Sequence, residues 1–110
     1  MGYATEHLRK CADLGGIVGG NIFTYDTADA VGTVDTSGYI TDAVEKGMQK
    51  GDILILRVWS AVPDSNDDVV TAAGSAPTLT SVNLMYVKGI TAAGAADLTD
   101  VLALTATNTD

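Results

Sequence analysis

Residues able to do covalent or metal chemistry are few in this chain. It holds one His, one Cys and two Glu, so nucleophilic or metal chemistry has to start from His7 and Cys11, four residues apart. On a helix that i, i+4 spacing offers two soft ligands to zinc, but a zinc site needs three or four. No second His or Cys exists to complete one. A Cys–His nucleophile pair on an N-terminal arm would lack the rigid pocket such a pair requires, so His7 is expected to be structural. Cys11 cannot form an intrachain disulfide, which fits a reducing cytoplasm, and it is expected as a small buried apolar residue.

Asp64, Asn66 and Asp68 alternate like the opening of a calcium loop, which needs Gly at its sixth position and a bidentate Glu at its twelfth. Val69 and Ser75 stand there instead, so the segment reads as a solvated turn. The glycines of residues 15–20 lack the Gly-Lys-Ser/Thr of a phosphate-binding loop and lead into a strand pattern instead of a helix N-terminus. Twelve Asp residues supply many carboxylates, but no context singles out a pair for acid–base work. The expectation is a protein with no catalytic residues, no metal and no cofactor.

The composition points the same way. Fourteen acidic residues against six basic ones give a net charge of −8, which repels phosphate backbones and anionic lipid and excludes nucleic acid and membrane surfaces as natural partners. Its 110 residues suit one domain with a real core. Abundant Thr, Asp and Gly with few straight-chain helix formers favour strands and turns over long helices. No secretion signal or apolar run of membrane-spanning length is legible, so a soluble protein is expected.

These features must be carried by a small set of elements. Residues 1–20 are expected as an N-terminal arm or short helix, since Leu8, Cys11 and Ala12 fall at i, i+3 and i+4. Residues 21–110 form the β-rich domain. Its expected strands are residues 21–27, 53–59 and 78–90, with a short extended piece at 31–35 and a last strand at 101–105; a helix over 98–105 fits almost equally. The spacing of Val44 and Met48, with Asp42 early and Lys46 late, predicts two helical turns over 41–48. Gln49-Lys50-Gly51-Asp52 is turn chemistry feeding a strand, Ile53-Leu54-Ile55-Leu56-Arg57-Val58-Trp59, whose two faces are both apolar. That predicts a central strand covered on both sides. Arg57 within it calls for an Asp partner, an edge to snorkel to, or a salt bridge to a neighbouring subunit. Residues 63–77 read as a polar loop. The expected whole is mainly β: a single small β-sandwich or β-barrel-like domain with one short helix.

Three stretches add a resemblance. Residues 22–30 (Ile-Phe-Thr-Tyr-Asp-Thr-Ala-Asp-Ala), 34–40 (Val-Asp-Thr-Ser-Gly-Tyr-Ile) and 48–54 (Met-Gln-Lys-Gly-Asp-Ile-Leu) resemble, in order and spacing, a pattern of small virion accessory proteins of tailed bacteriophages. Ile40 and Met48 depart from it, where Phe and Leu are more usual, and keep both sites apolar. The resemblance implies a head decoration protein or head-fibre base: a non-enzymatic capsid-surface protein, made in the host cytoplasm, whose partners are the major capsid protein and further copies of itself, a trimer being the expected oligomer. An arm reaching a neighbour would use Tyr3, Leu8, Leu14, Ile17 and Val18, with Arg57 as a further contact, and its buried apolar surface would have to offset about 1–2 kcal/mol of backbone entropy per ordered residue. The alternative is a β module binding glycans or a host surface, with Trp59 and the tyrosines as stacking platforms.

Overall fold

In the computed structural model, which describes residues 3, 5–13, 20–61 and 78–105, β-branched and aromatic runs become strands where the sequence places them. After a 3-10 turn at Thr5–His7, the strands are β1 (Leu8–Ala12), β2 (Ile22–Thr27), β3 (Ile53–Trp59), β4 (Leu79–Ile90), β5 (Ala96–Leu98) and β6 (Leu102–Ala103). They form one open mixed sheet in the order β1-β2-β3-β4-β5, with β6 also on β4. The mainly β expectation holds. What covers the sheet is the connection over residues 28–52, where a sandwich would place a second sheet.

That connection exists because β2 and β3 are parallel, from Ile22 opposite Ile53 to Thr27 opposite Val58, and parallel neighbours need a long crossover. Every other pairing among the described residues is antiparallel. The crossover carries Val34, Ile40, Ala43 and Met48 down onto Phe23, Tyr25, Leu54, Leu56, Met85 and Val87, and all of these are buried. Ile40 and Met48, the two departures from the phage pattern, both sit in this core.

The helix lies elsewhere than the spacing predicts. Residues 31–35, expected as extended, begin with the one-turn helix α1 (Val31–Val34). Residues 41–48 make a single turn: the Lys46 amide donates to the Asp42 carbonyl, and the amides of Gly47 and Met48 then donate back to Val44 and Ala43. Gly47 has φ +83°, so this is the glycine-terminated closure that ends a helix. The helix is stopped at one turn although its apolar spacing is correct.

The N-terminal reading also changes. Leu8–Ala12 is an edge strand antiparallel to β2, with Leu8 opposite Tyr25, so the i, i+3, i+4 spacing yields to sheet pairing. Leu8 is buried and Cys11, expected inside, is exposed. Tyr3 stacks on Tyr25 with ring centroids 5.5 Å apart and meets Tyr39 edge-on at 5.8 Å. Its hydroxyl donates to Asp42 at 2.5 Å, and Thr5 donates to the other oxygen of that carboxylate. Tyr39 donates to Asp29 at 2.6 Å and lies 3.0 Å from the Tyr25 hydroxyl, which leaves Tyr25 as the donor of that pair. This tyrosine cluster ties the N-terminal segment to the crossover.

At the start of β3, Asp52 is fully buried, and its two oxygens accept from the amides of Asn21 at 3.2 Å and Gln49 at 2.8 Å. Its own carbonyl accepts from Val87, and Gly51 donates to Val87. One carboxylate thus joins the crossover turn to the β2 end of the sheet, in line with β4. Asp52→Ala strands the buried Asn21 amide and the part-buried Gln49 amide and is expected to destabilise the fold by about 1–3 kcal/mol in urea titration. A second expectation concerns pH. Burial and the bond to Asp42 raise the Tyr3 phenol, and burial and the bond to Asp29 raise Tyr39. Both therefore hold their protons more tightly folded than unfolded, so stability is intact below the ordinary phenol pKa of about 10 and falls as pH rises beyond it. Tyrosinate absorbance from these two residues should appear together with unfolding.

Candidate functional site

Alternation along the strands sends one set of side chains to the core and the other to the opposite face of the sheet. On β3 the core set is Leu54, Leu56 and Val58; the other is Ile53, Ile55, Arg57 and Trp59, none of it fully buried. The expectation that β3 is central holds, since it pairs with β2 and β4. Cover on both sides is not found: no described element lies over the second face.

That face divides into two halves. On the β3, β4 and β6 side it is apolar. Ile53, Leu84, Tyr86 and Leu102 line one concavity of about 410 Å³ with Met85, Thr99 and Asp100, and Leu79, Val82 and Leu104 line a second of about 350 Å³ with Thr80, Ser81 and Thr105. Tyr86 is 53% exposed and Leu102 66%.

On the β1 and β2 side the face is polar and tightly organised. Asp26 and Arg57 are direct neighbours across the parallel pair. The Arg57 guanidinium grips the Asp26 carboxylate with two bonds, Nε at 2.6 Å and Nη2 at 2.9 Å, and Trp59 Nε1 donates to the same carboxylate at 2.9 Å. The guanidinium also lies over the Trp59 ring, 5.3 Å from its centroid, a cation–π contact. The Asp26 side chain is 5% exposed and that of Arg57 40%. Burial pushes the Asp26 carboxyl up, but the bonds from Arg57 and Trp59 and the charges of Arg57 and Arg9 outweigh it and hold it below the usual carboxylate range. The bond to Asp26 holds the Arg57 proton more firmly than usual.

The cluster binds itself, and no substrate-sized cleft opens beside it among the concavities described above. Its chemistry is that of a clamp: it fixes two parallel strands in register and rigidifies the border of the apolar half. The helix that would have brought His7 and Cys11 to one face is absent: His7 ends the 3-10 turn, and Cys11 lies in β1, 3.5 Å from Thr24 Oγ1. No group of three metal-ligating side chains occurs among the described residues.

Of the contact residues expected from the sequence, Tyr3 and Leu8 are engaged inside the domain. Arg57 is engaged with Asp26, the intrachain option of those the sequence left open. Leu14, Ile17 and Val18 lie outside the described residues, as do Asp64, Asn66 and Asp68. Deleting residues 1–14 would remove β1 and so would report on folding before binding. The sequence reading missed the apolar half of the sheet as a surface. Its signal was present in the alternation of Val82, Leu84 and Tyr86, which are the outward set, whereas Asn83, Met85 and Val87 face the core. The stacking platforms are also reduced: Trp59 has Arg57 over its ring, three tyrosines pack on one another, and Tyr86 is the one exposed aromatic side chain. No protein-family model, curated protein or solved structure matches the chain.

Asp26→Asn keeps the shape but loses the charge pair, and is expected to cost about 1–3 kcal/mol at neutral pH, moderated by the partial exposure of Arg57. Because the Asp26 pKa is depressed in the folded state, its contribution is fully present above the unfolded value of about 4 and is lost as pH falls through the folded value. Chemical denaturation from pH 7 to pH 2 should show a shallower acid loss in the variant than in the wild type.

Proposed function

We propose that this chain is a non-enzymatic structural protein of a phage particle, which binds the capsid surface as a head decoration or fibre-base subunit through subunit–subunit contacts. The observation that carries the reading is the bare apolar half of the sheet, a surface suited to burial in an assembly. The phage-like pattern of residues 22–54 supports it, because its residues build the parallel pair, the crossover and the Asp52 junction, so what resembles that family is the structural frame of this domain. The polar clusters support it as well: their carboxylates are occupied by Arg57, Trp59, Tyr3, Thr5, Tyr39 and backbone amides. The partners in this reading are the major capsid protein and further copies of the chain, and the site of action is the head surface, after synthesis in the host cytoplasm.

The test is the composition of purified virus particles. Mass spectrometry is expected to find the protein at a fixed copy number per capsid protein, and cryo-microscopy to find it at repeated positions on the head. Particles that lack it altogether overturn the proposal.

A further inference from the structure

We infer that the bare face is where two copies of this chain pack on each other, sheet against sheet, in a twofold pair. The inference rests on and deepens the function proposed above by naming the occupant of that face, a twofold partner in place of the trimer that the resemblance implies, and it can be tested without any virus particle.

Three observations converge on it. The first is topological. Strands buried on both faces read as near-continuous apolar runs instead of alternating ones. Strand β3, reading Ile-Leu-Ile-Leu before Arg57, has that sequence but, among the described residues, only one cover, the crossover over residues 28–52. A second cover for Ile53 and Ile55 has to come from outside the described residues.

The second is area. Tyr86, Leu102, Leu104, Leu79 and Ile53 keep 53, 66, 48, 44 and 40% of their surfaces exposed, on the order of 500 Å² together, in the upper part of the roughly 300–600 Å² of a monomer's largest patch, which is often a functional one. Half-buried Ile55, Val82 and Leu84 lie between them and bring the face toward the roughly 800 Å² per partner of a standard interface. The same face carries both ridge and groove. Tyr86 and Leu102 stand proud beside the concavities of about 410 and 350 Å³, as an isologous contact requires, where each copy offers what the other receives.

The third is charge. At −8, two copies repel through most approaches. Among the described residues, strand alternation and the groove lining place Lys88 against Asp97 and Asp100 on the apolar half, a balance of only −1, and the Asp26–Arg57 pair at its border cancels itself. It is the side on which a second copy is little opposed. Packing two such sheets with their strands within about 30° of each other makes a two-layer sandwich.

Sedimentation equilibrium and light scattering on the full chain test this. The wild type is expected at twice its 11.3 kDa mass at high micromolar concentration and to dissociate on dilution. Tyr86→Lys and Leu102→Lys, both at exposed positions that leave the monomer's core untouched, should each weaken pairing at least tenfold with an unchanged far-UV spectrum. Val44→Lys, exposed on the crossover side, should pair like the wild type. A wild type that stays monomeric at all concentrations overturns the inference, whether another part of the chain or nothing at all covers the face. So does a trimer, since a face packed on itself closes at two, and so does a pair that survives both lysine substitutions. Failure here leaves particle occupancy to be judged separately, and absence from particles leaves the pairing measurement standing.

Discussion

Parallel strands cannot be joined by a tight turn, and the pairing of β2 with β3 commits the chain to a crossover long enough to run back along the sheet. Most of the architecture follows from that commitment. The crossover has to lie on one face, so it becomes the cover of the core, and it brings Val34, Ile40, Ala43 and Met48 with it. With no described element left to lie on the other face, the same constraint that builds the core leaves Ile53, Leu84 and Tyr86 toward solvent. The inside of this protein and its proposed working surface are two results of one pairing.

Buried acids secure that pairing at both ends. Asp52 holds the start of β3 through backbone amides, and Asp26 holds the other end through Arg57 and Trp59. Each is a carboxylate removed from water, tolerable only because its oxygens have partners. The acidity of the chain is therefore not uniformly a surface property: several of its Asp residues are structural acceptors. The tyrosine cluster applies the same logic to the N-terminal segment, where Asp42 and Asp29 receive the hydroxyls of Tyr3 and Tyr39.

Local periodicity made the strands legible, and long-range pairing decided what was misread. Residues 53–59 announce a strand by composition alone, and 78–90 by alternation. The edge strand β1 was hidden because Leu8, Cys11 and Ala12 fit a helical stripe, and only the partner strand, contributed by residues beyond a glycine-rich stretch, settles the matter. The turn over 41–48 shows the reverse: a correct apolar spacing cut short by the left-handed backbone of Gly47. Reading both faces of β3 as apolar was sound chemistry, but sequence does not say whether the second cover lies in the same molecule. The Arg57 partnership was foreseen as one option among several, whereas Asp52 looked like ordinary turn punctuation.

The bonds between Val87 and the Gly51–Asp52 turn have a further consequence, in time. They join residues 35 or so positions apart, and the core is completed by Leu98 later still. As the chain leaves the ribosome, β2 and β3 are therefore made long before β4 can pair with them. Structures dominated by such distant contacts fold slowly, and an unpaired Ile-Leu-Ile-Leu strand is the kind of segment that aggregates while it waits. The interval between synthesis of β3 and arrival of β4 is thus the period in which this small protein most depends on being kept apart from its own copies.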